Sequence, residues 1–208
     1  MRTGLFCCVT GLFLATTAMP QSLELGISSG YGVLNDNSLS AAEYAEFGGR
    51  EEFTISNGVR VGGRMAFNPR TYIGHEVAYS YQHAGLGLLT DDPEGSSNSD
   101  LGSVKAHHMY YNLVAHATPE GTIVRPFVTG GGGFSSFFLP GVSSFSGYGN
   151  TKFGYNYGGG VKLNFFLYGI RFDVRNHVTG KPFGEYLPNV SGTLNNLEFS
   201  MTFSFLFG

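Results

Sequence analysis

The 208-residue chain carries 12 Lys+Arg against 15 Asp+Glu, a formal net charge of −3, and only 13% of its residues are charged. Soluble domains carry roughly 25% charged residues, so the chain lacks the usual coat of a water-facing surface, and its acidic balance excludes a nucleic-acid platform. Thirty-two glycines and 15% aromatic residues complete the bias, and beyond the first residues no apolar run is long enough for a helical membrane span.

The chain opens on a leader pattern. Arg2 supplies a positive start, Gly4 to Ala15 an apolar stretch, and Thr16-Thr17-Ala18 small residues for cleavage. This predicts a signal peptide over residues 1–18 and one domain over 19–208. A lipoprotein anchor does not fit, because Phe6 and Cys7 stand where a small residue must precede the acylated cysteine. Cys7 and Cys8 both fall in the leader, so neither disulfides nor thiol chemistry enters the domain. Losing Arg2 leaves 11 basic residues against 15 acidic ones, a net charge of −4.

Eight segments then alternate between apolar and small or polar residues, the period of a strand with two unlike faces. The first sets Leu23, Leu25, Ile27, Tyr31 and Val33 against Glu24, Gly26, Ser28, Gly30 and Gly32. The second sets Phe53, Ile55, Val59, Val61, Met65 and Phe67 against Thr54, Ser56, Gly58, Arg60, Gly62 and Arg64. In the third, Ile73, Val77, Tyr79 and Tyr81 oppose Gly74, Glu76, Ala78, Ser80 and Gln82. The fourth runs from about Val104 to His116. The fifth, Val124 to Phe134, is interrupted by Pro126 and Gly130 to Gly133, which leaves its register open. The sixth pairs Phe153, Tyr155, Tyr157, Val161 and Leu163 with Lys152, Gly154, Asn156, Gly158, Gly160 and Lys162. The seventh pairs Tyr168, Ile170, Phe172, Val174 and Val178 with Gly169, Arg171, Asp173, Arg175 and His177. The last, LEFSMTFSFLFG, carries Leu197, Phe199, Met201, Phe203, Phe205 and Phe207 on one face.

The connections alternate as well. Long ones (Asn35 to Glu51, Ala84 to Gly102, Phe138 to Asn150, Thr179 to Asn195) take turns with short ones at Asn68-Pro69-Arg70, Thr118 to Gly121 and Asn164 to Phe166. That asymmetry predicts an all-β, eight-stranded antiparallel up-and-down transmembrane barrel, with long loops on one side and short turns on the other. A soluble, lipocalin-like barrel also alternates, but an eight-stranded interior is only just filled by side chains. The face rich in Gly, Ser, Thr and Ala fits inside; the Phe- and Tyr-rich face does not. The apolar face therefore meets lipid.

Inward charges must then find partners, because burying a lone ion is costly. Arg60, Arg64, Lys162, Arg171 and Arg175 are nearly balanced by Glu24, Glu76, Asp173 and Glu198. A lumenal network of these nine is expected, with Glu76 and Asp173 on arginines. Neither metal nor cofactor site is expected: His107 and His108 are adjacent and face opposite ways, His116 lies near a short turn, and His177 lies near the far rim. The glycine runs lack the Lys-Ser/Thr and the helix of a phosphate loop. The acidic stretch Thr90 to Asp100 lacks the ligand spacing of a calcium loop and reads as a flexible outer loop.

The leader, the alternating strands and the phenylalanine-rich last strand resemble OmpA/OmpX-type outer-membrane barrels. RPFVTGGGGF (Arg125 to Phe134) and YGGGVKLNFFLYGIRFDVRNHVTG (Tyr157 to Gly180) are similar to the pattern of that outer-membrane β-barrel domain. The resemblance implies outer-membrane lipids and lipopolysaccharide as surroundings, and an assembly machinery that reads the C-terminal strand. The family usually ends on Phe, and Gly208 departs from that; no peptidoglycan-binding domain follows. The ligand of the outer loops stays open. Tyr81 to Gly85 loosely resembles the histidine segment of outer-membrane lipid A deacylases, which follow the histidine with Ser-Asn. Here Ala84 and Gly85 follow His83, so the nucleophile of a dyad is missing. The resulting expectation is a non-enzymatic structural or loop-presenting barrel with a charge-plugged lumen. A narrow pore is the second reading and a lipid-modifying enzyme the third.

Overall fold

Residues that alternate in polarity over ten or more positions bury one face only by pairing side by side. In the computed structural model, which describes residues 22–34, 38–44, 49–69, 71–92, 95–139, 150–183 and 192–207, nine strands do so. They are β1 Ser22–Leu34, β2 Ser38–Tyr44, β3 Gly49–Asn68, β4 Ile73–Asp92, β5 Gly95–His116, β6 Val124–Phe138, β7 Asn150–Phe165, β8 Tyr168–Gly180 and β9 Thr193–Phe207. The leader reading and Gly208 fall outside the described residues.

All pairings are antiparallel between neighbours, and β1 pairs both β3 and β9, with Leu25 opposite Met65 on one side and Phe205 on the other. Eight strands thus close an up-and-down ring, and closure removes the exposed edges a flat sheet would leave. The ninth, β2, lies along the outer half of β3, from Ser38 against Thr54 to Tyr44 against Gly49.

Two segments read as loops are strands. Part of the Asn35 to Glu51 connection is β2 and the start of β3, and most of Ala84 to Gly102 continues the β4–β5 ladder as far as Asp92 opposite Gly95. The Thr90 to Asp100 stretch, expected as a flexible loop, is the tip of this hairpin. On β5 it is exposed on both faces, so it shows no alternation to read.

One alternation is overturned. A β-bulge between Ile55 and Gly58 shifts the register of β3 against β4. A bulge exchanges the faces beyond it, so Ile55, placed by its spacing with the lipid-facing Val59 and Val61, turns inward and is buried. There it joins Leu34, Leu39, Leu86, Val104, Phe137 and Phe183 in an apolar cluster that fills the outer mouth.

The bare face of the lumen is a matter of closeness between strands. A Cβ on Gly160 would lie 1.9 Å from the Phe172 carbonyl oxygen of β8 and 2.9 Å from the Phe127 ring. Gly160→Ala must therefore push β7 from β8, and overpacking of this kind costs about 1–3 kcal/mol. A drop of that size in refolding free energy, read by urea titration, is expected; an unchanged midpoint would contradict the close packing.

Candidate functional site

The interior is stacked in layers, each held by side chains from strands far apart in the chain. Nearest the short turns, Lys162 of β7 donates to Glu24 of β1, and both are buried. Beside them the Arg125 guanidinium donates to the Thr71 carbonyl at 2.9 Å.

The middle layer is built on two carboxylates. Glu76 of β4 is 0% exposed and meets Arg171 at 2.7 Å, Arg175 at 2.9 Å and Arg64 at 3.5 Å. Asp173 meets the same three arginines, at 2.8, 2.9 and 3.1 Å. Asn112 donates to Glu76 at 3.0 Å, and Asn156 donates to Asn112 at 2.7 Å. Arg171 also sits over the inward Phe127 ring, its Cζ 3.9 Å from the centroid, a cation–π contact at a buried site. Two acids shared among three arginines leave the layer positive by one.

The third layer centres on Glu198 of β9, which accepts from Arg60 and shares a 2.8 Å contact with His177 Nε2. Arg60 also donates to Gln82 at 2.7 Å, and Asn196 donates to the same Gln82 oxygen at 2.8 Å. His108 contacts the Ser135 hydroxyl at 2.8 Å, and the buried Tyr110 ring packs 5.1 Å from that of His177. Above this layer comes the apolar mouth cluster. Voids of about 10 and about 20 Å³ lie between the layers, on the scale of single waters.

All nine charges named from the sequence are thus inside, and they form three groups: Glu24 with Lys162; Glu76 and Asp173 with Arg64, Arg171 and Arg175; and Glu198 with Arg60. Gln82, Asn156 and His177 stood on the inward face in the sequence but were not named as members of the network, and Asn112, Asn196, His108, Arg125 and the inward Phe127 were missed. The parity signal was there for most of them: His177 is two residues from Arg175, and Asn156 six from Lys162, so each shares the face of its charged neighbour.

The histidines divide between the faces. His107 points outward and shares a 2.7 Å hydrogen bond with the Tyr79 hydroxyl, while His75 shares one of 2.5 Å with the Tyr111 hydroxyl. His83 is exposed on the exterior of β4, in register with Val59 and Lys105. Among the described residues no cluster of His, Cys, Asp and Glu is arranged to hold a metal ion.

The outer face is the reverse of the inner one. Ile27 is 77% exposed and Phe153 67%, and Val128, Met109, Phe199 and Phe203 are about half exposed or more. Soluble proteins do not display an apolar belt of this extent. A closed ring that is charged and hydrogen-bonded inside and apolar outside is a membrane-spanning β-barrel, since lipid solvates the belt and closure leaves the ring no open strand edge.

Two of the solved structures similar to this chain show the range of the likeness. One is the N-terminal β-barrel domain of OprF from Pseudomonas aeruginosa, with 12% identity, a TM-score of 0.48, and coverage of 89% of this chain and 97% of that one. The other is Ail, the attachment invasion locus protein of Yersinia pestis, solved with the heparin analogue sucrose octasulfate, with 13% identity, a TM-score of 0.37, and coverage of 90% and 97%. No protein-family model and no curated protein matches the chain. The class assigned above rests on the closed register and the inverted polarity.

Proposed function

We propose that this chain is an integral outer-membrane protein of the OmpA/OmpX-like group, exported by a leader over residues 1–18 and non-enzymatic. Its barrel is a structural element that carries the β2–β3 and β4–β5 extensions outside the membrane, with a lumen plugged by paired charges. Outer-membrane lipids and lipopolysaccharide surround it, and the assembly machinery engages the phenylalanine-rich last strand. The observation that carries this reading is the middle layer. Glu76 and Asp173 draw Arg64 from β3 and Arg171 and Arg175 from β8 into one buried cluster, and paired charges packed across the lumen favour a plug over an open path.

Planar-bilayer recording on refolded protein tests it. Silence, or brief irregular events, is expected; steady single-channel steps would overturn the plug and make the protein a narrow pore.

A further inference from the structure

A two-residue hairpin turn demands a positive φ at one or both central residues, which Gly, Asn or Asp supplies without strain. The β7–β8 turn supplies it with Phe166, at φ 46°, although Phe165 and Tyr168 pair directly across it. The Phe166 side chain is 95% exposed. Among the described residues the only other non-glycine with a positive φ is Phe183, and that ring is buried in the mouth cluster. Phe166 has no such burial. In water it is unfavourable twice, by its backbone and by its bare ring, and strain kept at a surface points to use.

The corner around it is apolar and stiff. Ile123, Phe165 and Leu167 are each at least half exposed. The Asn164 amide donates to the Ile123 carbonyl at 2.8 Å, and the Leu206 amide donates to the Leu167 carbonyl at 2.9 Å. The turn is thereby tied to the β5–β6 turn on one side and to β9 on the other. It also continues the lipid-facing belt: Tyr168 stacks on Phe203 at 5.7 Å and meets Phe205 edge-on at 5.5 Å. The neighbouring turn differs, offering Thr118, Pro119, Glu120 and Gly121.

We propose that the Phe166–Leu167 turn is a lipid-interface anchor that inserts into the headgroup–acyl boundary of the leaflet on the short-turn side. It fixes the depth of this corner, beside the closing strand. Lipid fits better than a protein partner because the patch runs without a break into the belt and no charge falls between Leu163 and Gly169. Aromatic side chains also favour that boundary. The inference rests on the membrane-barrel reading, and its test separates the two.

Single-cysteine forms of the full chain, with Cys7 and Cys8 changed to Ser, are labelled with bimane at Phe166→Cys, Glu120→Cys or Met109→Cys. They are then reconstituted in phosphatidylcholine vesicles, with folding checked by the gel shift of unheated samples. Quenchers are aqueous iodide and doxyl lipids labelled near the headgroup or near the chain end. Position 166 is expected to lose most of its emission to the headgroup-proximal quencher and little to iodide. Position 120 should respond to iodide, and position 109 to the chain-end quencher. If 109 is lipid-quenched while 166 behaves like 120, the anchor is overturned and the patch is left to a soluble partner. If 109 itself answers only to iodide, the membrane reading falls and the anchor with it. Leu167→Cys repeats the measurement with Phe166 intact, so a failure of the first variant to fold leaves the test standing.

Discussion

Glu76→Gln is expected to destabilise the folded barrel by about 3–5 kcal/mol, the cost of removing one partner from a buried ion cluster. Glu76 is fully buried and touches three guanidiniums. The glutamine keeps the shape and the contact to Asn112 but removes the charge, leaving Asp173 alone among three arginines. The loss should appear as a lower urea midpoint for the heat-modifiable folded band. Arg175→Met in the same chain should recover part of it, since it removes one of the stranded charges. Glu52→Gln serves as the control: its partner Arg50 is 53% exposed, and exposed pairs contribute at most about 1 kcal/mol. A Glu76→Gln barrel as stable as wild type would contradict the layered-charge account.

Deleting residues Thr193–Phe207 is expected to abolish the folded barrel altogether. β9 pairs β1 along twelve positions, Leu23 to Leu34, and β8 along thirteen, Tyr168 to Gly180. Its loss would open two ladders to lipid, where unpaired backbone groups find no water and cost several kcal/mol each. It would also remove Glu198 and strand Arg60 in the upper layer. The measurement is the gel shift and protease resistance of the truncated chain in vesicles. A shortened chain that still resists heat and protease would show that closure is not required.

The membrane-facing halves of the ring strands other than β6 were legible because each residue there has one of two fates, lipid or lumen, and alternation records the choice. The outer halves of β3, β4 and β5 were not. Gly95 to Gly102 is exposed on both faces, so nothing in the sequence distinguishes strand from loop. At Ile55 the alternation was readable and misled, because a bulge changes faces without changing composition.

The site shows the same division. The ionised members stood out by charge and parity, which names them but not their grouping. Which carboxylate meets which arginine depends on strand stagger, set by the ladder and invisible in any one segment. Phe127 was hidden because its strand is broken by Pro126 and the Gly130–Gly133 run, and because an aromatic ring is expected outside. It fits inside only where Gly160 withholds a side chain.

The ion pairs also bear on how the ring comes together. Lys162 and Glu24 lie 138 residues apart, as do Arg60 and Glu198, and Arg171 lies 95 from Glu76. No local hairpin can satisfy these three; each waits for strands that are not neighbours in the chain. A one-residue slip of any strand turns its charges to lipid and its aromatics inward. The lumen thus acts as a combination lock on strand order, released only when every ladder stands in register.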